Sequence, residues 1–173
     1  MTHHVIGAGM IVSSDLKQDL QNLAAWWDGE EVDDLATLER RLLARLPDVP
    51  SDLHYPLLEL VGELAAGLQV VTDAELYDAL LLLAVSQSNS ASVRASVLLF
   101  RDFDDSRYID RIRNALANTE NPGFFDALFA LTKAAASGRS DATRLLECAT
   151  SDVDVDVEAK EAIVAALRRS MAH

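Results

Sequence analysis

TDAELYDALLLLAVS, residues 72–86, opens with Thr72 and Glu75 three positions apart. That spacing forms a capping box, in which a hydroxyl and a carboxylate satisfy backbone N–H groups that a helix start leaves without partners. A helix is therefore predicted over this stretch. Its first turns are one-sided, with Leu76 and Leu80 inward and Asp73, Glu75 and Asp78 outward, while Leu80 to Val85 is apolar all round. Such a segment suits a helix packed on several sides. It is too short to cross a bilayer, which takes about 20 apolar residues. We read it as the central core helix of an all-helical domain, with Leu81 and Leu82 in the packed interior.

The same periodicity extends in both directions. A first helix is predicted from Ser14, a good N-cap, to Trp27, with Leu16, Leu20, Leu23 and Trp27 on one stripe. Residues 5–12, VIGAGMIV, precede it as an extended arm or a short strand. Their G-x-G does not continue into the glycine-rich turn and helix that bind a dinucleotide. A second helix runs from Asp33 to Leu46, and a third starts after Ser51 or Asp52 and accommodates Pro56 near its first turn. Beyond the central helix, further helices are predicted from Ser90, Ser106, Asn121, Ser140 and Asp156. Asn121 and Pro122 read as N-cap and first residue of the seventh, and Gly138 as the residue that closes it.

The predicted starts recur every 15 to 20 residues, so two helices and their loops take the length of one helical-hairpin repeat. Short connections force antiparallel neighbours. The pattern resembles the HEAT-like class of helical repeats, which implies an all-α fold of about nine antiparallel helices stacked as hairpins; a closed globular helical bundle is the alternative. Residues 1–173 are read as a single all-helical domain, with residues 1–13 as its N-terminal arm.

Charge narrows the functional classes. The net charge is −13, which disfavours nucleic acid and anionic membrane as partners because both repel a polyanion. Residues 1–89 carry −11 of it and residues 90–173 only −2. With no basic segment and cleavage signal at the start, the default location is cytoplasmic. Cys148 is the only cysteine, and within Leu145, Leu146, Cys148 and Ala149 it reads as a small buried hydrophobe rather than a nucleophile.

Candidate chemistry is thin. Asp152, Asp154 and Asp156 alternate as in a calcium loop, but Val157 stands where the loop needs glycine and Ile163 where it needs a bidentate glutamate. The stretch reads instead as an acidic loop capping the ninth helix. Paired carboxylates that could hold magnesium, such as Glu75/Asp78 and Asp104/Asp105, form no D-D-x-x-D set. His3 and His4 read as a solvated tail and His54 as structural. Arg107, Arg111 and Arg113 are interleaved with Asp104, Asp105 and Asp110, a pattern of ion pairs rather than a phosphate-binding patch. No cofactor and no metal site is predicted.

What remains is Trp26 beside the acidic run Asp28, Glu30, Glu31, Asp33 and Asp34. Adjacent tryptophans lie about 100° apart on a helix. If Trp27 completes the core stripe, Trp26 either lies exposed beside the acids or packs beneath the arm. Carboxylates steer a basic partner and an aromatic anchor supplies holding energy. A small, acidic, cysteine-poor helical chain without catalytic residues resembles the immunity proteins of bacterial toxin systems. That resemblance implies a non-catalytic inhibitor covering a cationic toxin domain. The alternatives are a general helical-repeat adaptor and a metal-dependent helical hydrolase.

Overall fold

The computed structural model describes residues 6–64, 73–85 and 89–171. Among the described residues the fold is all-α, with nine α-helices, two short 3-10 turns and no strand. In chain order the helices are α1 (Ile6–Trp27), α2 (Leu35–Ala44), α3 (His54–Leu64), α4 (Asp73–Val85), α5 (Ser90–Phe103), α6 (Ile109–Leu116), α7 (Phe124–Ala136), α8 (Ser140–Ser151) and α9 (Val157–Met171). The chain divides into two compact units, Met1–Ala79 and Leu80–His173.

In the first unit, α1, α2 and α3 pack pairwise on one another. Leu23 of α1, Leu38 and Leu42 of α2, and Leu57, Leu58 and Leu60 of α3 are all but inaccessible to solvent. Pro47 and Pro50 bend the chain through the turns Leu46–Asp48 and Ser51–Leu53. His54 Nε2 then donates to the Val49 carbonyl (2.9 Å), a structural role for that ring. Pro56, as the third residue of α3, costs no helical hydrogen bond, because the first turn has free N–H groups anyway.

The second unit is built around α7, which packs on α5, α6, α8 and α9. Its apolar core joins Val97 and Phe100 of α5, Ile112 and Leu116 of α6, Phe124 and Leu131 of α7, Leu146 of α8 and Ile163 of α9. Asn89 and Ser92 form a reciprocal capping box at the start of α5, with bonds of 2.8 and 3.0 Å. Arg139, between α7 and α8, ties down the far end of α5. Its guanidinium donates to the Phe100 and Arg101 carbonyls, sits 4.8 Å over the Phe100 ring, and pairs with Asp104 and Asp141. As expected, Gly138 closes α7 with a positive φ.

Several expectations are corrected. Residues 6–13, read as an arm or strand, are the first turns of α1, which starts at Ile6 rather than Ser14. Gly7 and Gly9 each cost a helix only about 1 kcal/mol, and adding turns to a formed helix is far easier than nucleating one. Residues 1–5 lie outside the described residues, and so does Thr72 of the expected capping box. The seventh helix is capped by Gly123 rather than Asn121, whose side chain instead donates 2.6 Å to the Asn114 carbonyl at the end of α6. Within α4, Leu80, Leu83 and Ala84 are buried, whereas Leu82 and Val85 are exposed. An apolar run around the whole helix therefore does not mean burial around the whole helix. Cys148 is exposed as well. It lies roughly 110° from the middle of the inward stripe formed by buried Ala142, Leu145 and Leu146 and partly buried Ala149 on α8.

Candidate functional site

The end of α1 sets the geometry of the acidic run. Gly29, at φ 88°, takes the left-handed position that closes a helix, and the N–H groups of Asp28, Gly29 and Glu30 return to the Ala24, Trp26 and Ala25 carbonyls at 2.9–3.0 Å. The acids therefore emerge directly after the two tryptophans. Asp28, Glu30, Glu31, Asp33 and Asp34 are all exposed, and no salt bridge among the described residues joins any of them to a base.

Asp34 caps α2. Its backbone adopts φ 50°, and its carboxylate accepts from the Thr37 N–H at 3.3 Å. Hydrogen bonding by Thr37 holds this carboxyl below the usual range, helped by the charges of Arg41 and Arg40. Arg41 also pairs with buried Asp19 at 2.7 Å, linking α2 to α1, and Arg45 reaches Asp48 at 3.4 Å. Of the five acids, Asp34 has a defined structural task.

Trp27, read as completing the core stripe, is the more exposed of the two tryptophans. Trp27 is 48% exposed and Trp26 is half-buried. As the last residue of α1, Trp27 has no following turn to cover it, and one edge meets Tyr55 of α3 with ring centroids 5.9 Å apart. Its ring lies 6.3 Å from that of Trp26, tilted by 46°. The aromatic surface beside the acids thus consists of Trp27 in front and Trp26 behind. Helical spacing alone misses this, because it treats the last residue of a stripe like those within it.

The other candidate groups make local contacts. Asp152 accepts from the Asp154 N–H, and Asp156 accepts from the Glu158 N–H, so the acidic loop caps α9 as expected. Arg107 pairs with Asp105 and Arg113 with Asp110. No group of three or more His, Cys, Asp or Glu side chains among the described residues comes together as a metal site. No helix among them is long and apolar enough to cross a membrane.

Elsewhere, sequence reading missed a pair of exposed rings. Phe125 and Phe129 on α7 are 68% and 70% exposed. The run FFDALF carries two phenylalanines more than the core stripe takes: Phe124 faces inward, and residues one and five positions on must face elsewhere. No protein-family model, curated protein or solved structure matches this chain.

Proposed function

We propose that this protein is a non-catalytic binding protein that covers a cationic protein partner, with an immunity-type inhibitor of a bacterial toxin as the leading case. The observation that carries this reading is the exposed Trp27 adjoining five carboxylates that no salt bridge among the described residues neutralises. The surrounding unit reinforces it, since residues 1–79 hold a net −11 and residues 80–173 a net −2. A nuclease or similar toxin is cationic where it holds phosphate, and an acidic face complements that surface. Trp26, Asp28, Glu30, Glu31, Asp33 and Asp34 are the contact residues in this reading, with Trp27 as the anchor.

The arrangement of the helices bears on the proposal. In the second unit the principal packings join sequence neighbours, together with α5 to α7, α7 to α9 and α6 to α8. Stacked HEAT-like hairpins would give such a ladder, while the one core shared by all five helices favours a packed globular bundle. A cytoplasmic setting goes with the reading.

The test is recovery of the full chain from its native cell at low salt, followed by identification of whatever accompanies it in stoichiometric amount. A basic protein that is released by Trp27→Ala supports the proposal, and an acidic partner or a nucleic acid contradicts it. A saturable thermal shift specific to magnesium, manganese or calcium would favour the hydrolase alternative instead.

A further inference from the structure

We propose that the outer stripe of α7, Phe125, Phe129 and Lys133, docks an amphipathic helix from a partner protein, one that presents two apolar residues a turn apart and a carboxylate a turn beyond. The site lies in the second unit and differs in chemistry from the acidic face of the first.

Residues four apart on a helix are surface neighbours, so the two rings form one patch, with Lys133 exposed at its end. The patch is rigidly mounted. The opposite side of α7 is the core of the unit, and buried Phe124 meets Phe125 edge-on with centroids 5.1 Å apart. Scattered single hydrophobes on a surface are ordinary, but two adjacent rings both about 70% exposed on a packed helix are apolar area held out in water.

Charge and area select the occupant. Asp126, the other charged residue of α7, lies 3.9 Å from Arg94, whereas no ion pair among the described residues involves Lys133. The net charge left on the stripe is therefore positive, in a protein of net −13. An aromatic side chain buries about 150–250 Å², so the two exposed rings offer about 200–350 Å². A stable dimer needs about 800 Å² from each partner, and a second copy would also bring its own −13. A short segment fits better. Three anchors at successive helical turns match an amphipathic helix, in which every side chain on one face recurs at the same interval.

The experiment uses a displayed library of helical peptides, selected on the full chain and counter-selected on the Phe125→Ser/Phe129→Ser double variant. Enriched peptides are then measured by fluorescence anisotropy. All three positions are exposed, so the variants should keep the parent's circular dichroism and Tm. The expected result is enrichment of apolar pairs at four-residue spacing followed by Asp or Glu. Affinity should fall about tenfold or more in the double variant, and Lys133→Glu should reverse the preference for acidic over basic peptides. The proposal is overturned if nothing is enriched, or if enriched peptides bind parent and double variant alike. It is overturned equally if sedimentation shows a dimer that the double variant abolishes, because the stripe would then belong to a second copy.

Discussion

Glu39 sits in α2 with 5% of its surface exposed, and burial pushes its carboxyl up to about 7 from an ordinary value of 4.5. A raised carboxyl pKa means that the folded state holds its proton more tightly than the unfolded chain does. Its contribution to stability is therefore fully present below about pH 4.5 and is lost as pH rises to about 7. Glu39→Gln should match the parent near pH 4 and become progressively more stable than it up to pH 8, by at most about 3 kcal/mol. Denaturant titrations across that range check this, and a difference that does not vary with pH would contradict it. Gly123 makes a sharper demand on the fold. Its φ is 76°, and a Cβ placed there would stand 2.5 Å from Val93 Cβ. Left-handed strain and overpacking together should make Gly123→Ala cost about 2–5 kcal/mol. Gly29→Ala, equally left-handed but in open space, should cost only about 1–2 kcal/mol. Equal losses in the two variants would show that the contact with Val93 is not tight.

The helices separate what could be read in advance from what could not. Starts predicted near Asp33, Ser90, Ser140 and Asp156 fall within two residues of the observed starts of α2, α5, α8 and α9, because polar helix-starting residues lead directly into apolar stripes there. The beginning of α1 was hidden by its glycines. In α4, seven apolar residues in a row, Ala79 to Val85, carry no record of which side meets the core. That side is marked by Leu80, Leu83 and Ala84, so Leu83→Ala should cost about 2–5 kcal/mol. Leu82→Ala, at a position 49% exposed, should cost well under half as much. The acids of the candidate site were equally legible, since a charged run after a helix-closing glycine has nowhere to go but solvent. Which tryptophan stands in front depended on where α1 stops and on Tyr55, 28 residues later in the chain and invisible to helical spacing.

For the whole molecule, the division of charge coincides with the division into units: nearly all of the net −13 lies in residues 1–79. Like charges crowded at the end of α1 do little for folding, and only Asp34 caps a helix. Replacing Glu30, Glu31, Asp33 and Asp34 by their amides should therefore leave stability nearly unchanged, because asparagine caps as well as aspartate does. The decisive measurement is the association rate of that variant with the stoichiometric partner, at low and at high salt. Steering by exposed charge acts over a Debye length of about 10 Å at 0.1 M salt and fades as salt rises. The variant should associate about tenfold or more slowly than the parent at low salt, with the two converging at high salt. Equal rates at low salt would mean that the acidic turn is solvated surface and that a cationic partner is the wrong one to look for.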